Sequence, residues 1–192
     1  MNWPLFAGLA VAFTVLDASF MQVFRVGAAW PSLTPALVAF VAMWAPRSTV
    51  LWAALLAGLL GDLATPIPAS DLSVIRVPGP QALGWMFGAA AILAMRRSLL
   101  RGHPAAVATS TLALLLLAAL VWGAIWSARG LWPETEMPWP PGGGLLALRT
   151  RALDAGASAI AALPLAWLLA RIRPWWGFPG PVWALPGSGR RP

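Results

Sequence analysis

Residues 105–127 read AAVATSTLALLLLAALVWGAIWS, 23 residues without a charge. A helix that crosses the hydrocarbon core of a bilayer needs about 20 mainly apolar residues. This stretch has that length and is apolar on every face, the pattern of a helix that meets lipid or lies deep in a core. Working outward from it, five further apolar runs appear: Leu5 to Phe24, about Ser32 to Ala45, Thr49 to Ala64, Pro80 to Met95, and Ala152 to Ala170. The pattern predicts an all-α polytopic membrane protein with about six transmembrane helices. The second, third and fourth runs lie at or below the spanning minimum. Such segments tilt, thin the bilayer, or pack inside the bundle away from lipid. The second and third are separated only by Pro46-Arg47-Ser48. They read as a re-entrant pair or as two tightly linked helices, and the second reading is preferred.

The composition agrees. The chain has 192 residues, 59% of them hydrophobic and 10% charged, and its mean hydropathy is +0.74. Soluble domains carry about 25% charged residues. An ordinary soluble domain is therefore excluded, and so is disorder, which needs low hydrophobicity and high charge. With no Cys there is no disulfide scaffold and no thiol-dependent zinc or iron–sulfur site. The net charge of +7 comes entirely from Arg, since Lys is absent. Those Arg residues sit at the edges of the apolar runs, as in a multi-pass membrane protein, and do not form the clustered face that nucleic acid requires. The expected partner is the lipid bilayer, with no nucleic acid.

The Arg residues also give an orientation. With the N-terminus in the cytoplasm, the cytoplasmic side holds Arg47, Arg96, Arg97, Arg101, Arg171, Arg173, Arg190 and Arg191. The opposite side holds Arg25, Arg76, Arg129, Arg149 and Arg151, the last two either in the loop or within the start of the sixth helix. That bias predicts both termini in the cytoplasm. The first run lacks a basic leader and is interrupted by Asp17, so it does not read as a cleavable signal. Residues 1–172 are expected to form the helical membrane domain. Residues 173–192, rich in Pro, Gly and Trp, are expected to be an irregular tail. The longest connection, 128–145, carries Trp132 and Trp139, which suit a membrane–water interface.

Catalytic sets are hard to assemble. His103 is the single His and falls in a loop before Pro104. No G-x-S-x-G elbow is present, and a Lys-dependent phosphate loop has no Lys. The four Asp are dispersed, so no metal site or cofactor is expected. An intramembrane pair of carboxylates could share a proton, but no carboxylate motif surrounds Asp17, Asp62 or Asp154. The reading is of a non-enzyme. The charged residues within or beside apolar runs, Asp17, Arg149, Arg151 and Asp154, are candidate buried polar positions, because charge in a membrane segment is costly. Asp154 follows Arg151 by three residues, so the two share a helix face, which predicts an ion pair there or, alternatively, a contact to a partner or a polar pocket. Asp62 ends the third run, where a carboxylate opposes the helix dipole. Ala54, Gly58 and Asp62 share a face, which predicts close packing against a neighbour and a donor for Asp62. Gly84-Trp85-Met86-Phe87-Gly88 is a packing signal, within the fold or to a second protomer, so a homo-oligomer stays open.

Three stretches together resemble MreD, the bacterial rod-shape-determining membrane protein family. The first is Pro31-Ser32-Leu33-Thr34-Pro35-Ala36-Leu37-Val38. The second is Gly58-Leu59-Leu60-Gly61-Asp62-Leu63, followed by Gly79 and an Ala82-Leu83-Gly84 run. The third is Ala162-Leu163-Pro164-Leu165, then Arg171. The likeness covers about residues 1–173; the 132–144 stretch and the tail lie outside the pattern. It places Pro35, Gly58, Asp62, Gly79 and Pro164 at family positions. It implies no enzymatic activity and a scaffold of the cell-elongation machinery in the bacterial inner membrane. The implied partners are an MreC-like protein, MreB, RodA and a class B penicillin-binding protein. It also implies a fold similar to the S-components of energy-coupling-factor transporters. A small-molecule transport subunit of that type is the alternative, and that likeness implies a pocket between helices, holding a ligand or a partner helix.

Overall fold

The computed structural model describes residues 1–27, 29–65, 67–68, 74–75, 77–99, 103–132, 139 and 143–178. Six α-helices make up almost all of it: α1 (Trp3–Ser19), α2 (Thr34–Trp44), α3 (Arg47–Ala64), α4 (Pro80–Met95), α5 (Pro104–Arg129) and α6 (Gly144–Arg171). Short 3₁₀ turns follow α1 (Met21–Phe24) and α6 (Arg173–Trp176), and a two-residue antiparallel pairing, Ile67–Pro68 with Val74–Ile75, lies between α3 and α4. Three helices, α3, α5 and α6, are long and apolar enough to cross a membrane. Large apolar side chains such as Trp52, Leu56, Phe87, Leu120, Ile160 and Trp167 are exposed on the outer faces, a surface suited to lipid and costly in water.

The arrangement turns on α2. From Thr34 to Met43 every residue is buried, and α2 touches each of the other five helices. Around it α1, α3, α4, α5 and α6 stand as an open ring in that order, each against the next. Among the described residues α1 and α6 make no direct helix–helix contact. At 1.5 Å per residue the 11 residues of α2 extend about 16 Å, roughly half the ~30 Å hydrocarbon thickness. The second run is therefore the packed-inside case, sheathed by protein. It and α3 are two separate helices joined through Ala45 and Pro46.

Two boundaries differ from expectation. The first helix ends at Ser19, and Val23 and Phe24 lie exposed in a turn. The sixth begins at Gly144, ahead of Ala152, so Arg149 and Arg151 are helical, the second of the two placements left open by the sequence. The fourth run matches α4 to the residue.

Small residues set the inter-helix spacing. A Cβ on Gly58 would collide with the Cα of Ala82, so α3 and α4 approach backbone to backbone. On Gly88 a Cβ would fall 2.7 Å from the carbonyl oxygen of Leu114, and on Gly84 3.0 Å from the Cα of Ala118. The G-x-x-x-G pair thus packs α4 on α5 within the fold.

The end of the bundle near the first residues is closed. Trp176 is fully buried; its ring stacks on Phe178 at 5.4 Å and meets Phe40 of α2 at 5.7 Å. Its carbonyl accepts a 2.7 Å bond from the Asn2 amide. The first described residues of the tail thus belong to the packed body. Residues 179–192 of the tail, 133–138 and 140–142 of the long connection, and Arg76 and Arg101 of the orientation count lie outside the described residues.

Replacing Gly58 or Gly88 by Ala should lower the unfolding temperature of the detergent-purified protein, at a cost of about 1–3 kcal/mol each. Gly8, with open space where a Cβ would go, should tolerate Ala with a change of under about 1 kcal/mol. Equal behaviour at all three positions would contradict the packing.

Candidate functional site

At the end opposite Trp176, α2 stops short and leaves a cavity of about 700 Å³. Its floor is the start of α2, Thr34 and Pro35. Its walls are the last turn of α1, the end of α3, the start of α4, the second half of α5 and the first half of α6. Consecutive helices run in opposite directions, so these pieces meet at one level.

Asp17, in the last turn of α1, reaches across to start α2. Its carboxylate accepts bonds from the Leu33 amide (2.7 Å), the Thr34 amide (3.1 Å), the Ser32 hydroxyl (2.6 Å) and the Thr34 hydroxyl (2.7 Å). The residue preceding α2, Leu33, has no side-chain oxygen with which to cap it, so the cap comes from another helix. Pro35 occupies the first turn, where a missing N–H costs nothing.

Asp62 does the same for α4. It is buried and accepts from the amides of Gly79 (2.8 Å), Gln81 (3.0 Å) and Ala82 (3.2 Å). This is the donor set that the spacing of Ala54, Gly58 and Asp62 called for. Gly79 has φ +125° and open space around it, so glycine is required there by backbone conformation. The carboxylate opposes the dipole of its own α3 and is compensated by that of α4.

Asp154 and Arg151 do not form the expected ion pair. Asp154 accepts a 2.7 Å bond from the Trp30 amide, and four residues on, the Ser158 hydroxyl accepts from the Ser32 amide at 2.9 Å and donates to the Asp154 carbonyl at 2.7 Å. The segment from Trp30 to Thr34 therefore straps α6 to α1 across the gap in the ring. Arg151 lies over the indole of Trp122, its guanidinium carbon 3.7 Å from the ring centroid. Trp139, from the long connection, meets Trp122 at 5.2 Å. Arg149, two residues away and so on the other side of α6, is exposed.

Of the other positions marked in the sequence, Pro164 lies on the exposed face of α6, remote from this cluster. His103 caps α5, its Nδ1 accepting from the Ala105 amide at 3.2 Å. Arg96 donates to the Ala45 carbonyl at 2.9 Å, at the end of α2, and Arg173 lies over Trp44. Sequence reasoning missed Trp122, Trp30, Gln81 and Ser158. Only Ser158 carried a signal, its four-residue spacing from Asp154. Among the described residues no group of His, Cys, Asp or Glu gathers to hold a metal.

Comparison of the chain with protein-family models, with curated proteins and with solved structures finds no match.

Asp17→Ala should remove four bonds and leave the amides starting α2 unsatisfied, costing about 1–3 kcal/mol. Asp17→Asn retains one carboxamide oxygen and should cost less. Thermal unfolding in detergent measures both, and an Asp17→Ala protein as stable as the parent would rule out the cap.

Proposed function

We propose that this chain is a non-enzymatic integral membrane component of the bacterial cell-elongation machinery. It sits in the inner membrane with both termini in the cytoplasm and scaffolds an MreC-like protein and peptidoglycan synthases. One observation carries the reading. Three of the MreD-like positions, Gly58, Asp62 and Gly79, form a single joint: Gly58 admits α4, Asp62 caps it, and Gly79 presents its amide to Asp62. The resemblance thus gathers in space residues that are 21 positions apart in the chain, which scattered chance matches have no reason to do. A fourth position, Pro35, begins the central helix at the other carboxylate cap.

Such a chain acts through helix faces. The outer surfaces of α1, α4 and α6 carry exposed apolar side chains, among them Val15, Phe87 and Trp167, open to lipid or to the membrane anchor of a partner. All six helices contribute to the membrane-embedded body, with α2 sheathed by the rest.

The test is depletion in the source cell followed by microscopy, together with affinity purification of the tagged chain. Loss of rod shape and recovery of an MreC-like protein are expected. Asp62→Leu should insert in the membrane yet weaken that recovery and the shape phenotype. Normal shape on depletion, with no elongation protein recovered, overturns the reading.

The cavity favours a second reading, a transport subunit of S-component type. A tight small-molecule ligand recovered with an energy-coupling ATPase would select it over the scaffold.

A further inference from the structure

The cavity holds one charged group that the fold does not use. Asp17 is engaged by the start of α2 and Asp62 by the start of α4. Asp154 takes the Trp30 amide. Arg151 differs: it lines the cavity, and among the described residues no acceptor bonds its guanidinium, whose single described contact is the face of Trp122. An arginine has five N–H donors in a fixed fork that matches a carboxylate or phosphate. A fold that needed only to neutralise Asp154 would have drawn the fork onto it, three residues along the same face.

The acids around the cavity are engaged elsewhere. Asp17 and Asp62 accept from the first amides of α2 and α4. Asp154 and Asp62 act on the charge of Arg151 through space, but among the described residues neither bonds its guanidinium, so its donors face the cavity. Trp122 holds Arg151 from one side, so the fork is oriented before any ligand arrives. Trp30, Trp85 and Leu115 add apolar wall. The volume falls within the ~300–1,000 Å³ of small-molecule sites.

We propose that this cavity binds an acidic amphiphile, a carboxylate or phosphate on an apolar body. Its anionic group docks on Arg151 and its body lies against the tryptophan walls. A membrane lipid head and a free organic acid share that chemistry. The inference does not depend on the scaffold reading, because it is tested on the purified chain alone.

The experiment follows thermal unfolding of the full chain in a non-ionic detergent. Phenyl phosphate and benzoate probe the free acid, with benzyl alcohol as their neutral counterpart. Dihexanoyl phosphatidic acid probes the lipid head, with dihexanoyl glycerol as its neutral counterpart. The expected result is saturable stabilisation by at least one anion and none by its neutral counterpart. The half-saturating concentration should rise at least tenfold in Arg151→Met and less in Arg151→Lys, with Arg149→Met like the parent. Stabilisation by the aryl acids identifies a free acid as the source, and stabilisation by phosphatidic acid alone identifies a lipid. If no anion exceeds its neutral counterpart, or if Arg151→Met and Arg151→Lys both saturate like the parent, the proposal fails. Arg151→Lys guards against misfolding of Arg151→Met, since it keeps the charge while losing the fork.

Discussion

Two helices in this protein are started by carboxylates that belong to other helices. The first amides of any α-helix lack partners within it. In water, solvent or a local Ser, Thr, Asn or Asp supplies them. Inside an apolar bundle an unmet amide costs several kcal/mol, and neither Leu33 nor Gly79 offers a side-chain oxygen. Asp17 from α1 and Asp62 from α3 close both accounts. Each acid lies in the last turn of its own helix, where the dipole disfavours it, and points into the first turn of the next, where the dipole favours it. A penalty at one helix end is thereby offset at another. The offset exists only if the two helices are antiparallel neighbours at matched depth. The acids accordingly determine where α2 and α4 begin.

The depth of α2 decides the rest. Because Asp17 begins it at Thr34 and Trp44 ends it, α2 occupies only part of the bundle's height. The five surrounding helices rise past its first residue, and the space above becomes the cavity. Closing that space would need a longer central helix. The gap between α1 and α6 is bridged instead by the strap around Trp30, Ser32 and Thr34, pinned by Asp154, Ser158 and Asp17. Structural hydrogen bonds and cavity lining are thus the same residues seen from two sides.

The six helices could be read from hydropathy because each is apolar over most of its length. The errors fall where hydropathy and backbone disagree. Arg149 and Arg151 lowered the apolar score before Ala152, but Arg is a good helix former, and α6 starts at Gly144. Val23 and Phe24 raised the score beyond Ser19, but they stand exposed in a turn. The role of Asp62 was legible from the four-residue spacing of small residues before it. That of Asp17 was not, because its partners, two backbone amides and two hydroxyls, lie 15 to 17 positions along the chain with no helical spacing to connect them. The spacing of Arg151 and Asp154 gave the shared face correctly and the pairing wrongly. Trp30 and Trp122, distant in sequence, outcompete each for the other.

The two ends of the bundle are built on opposite terms. At the end of α2 near Trp44, aromatic rings fill the space: Trp176, Phe40 and Phe178 pack together, Arg173 covers Trp44, and Arg96 satisfies the last carbonyl before Pro46. Among the described residues no buried side-chain polar group there lacks a partner except the indole nitrogen of Trp176. At the other end the same central helix faces an open volume rimmed by carboxylates and a guanidinium. Stability alone would favour filling both ends alike, since empty space forfeits dispersion contacts. Sealing one end and leaving the other open and charged gives the bundle a direction. The residues that create the opening, Asp17, Asp62 and Asp154, are also the ones that hold the helices in place, so the cavity is kept at a fixed shape by the fold itself.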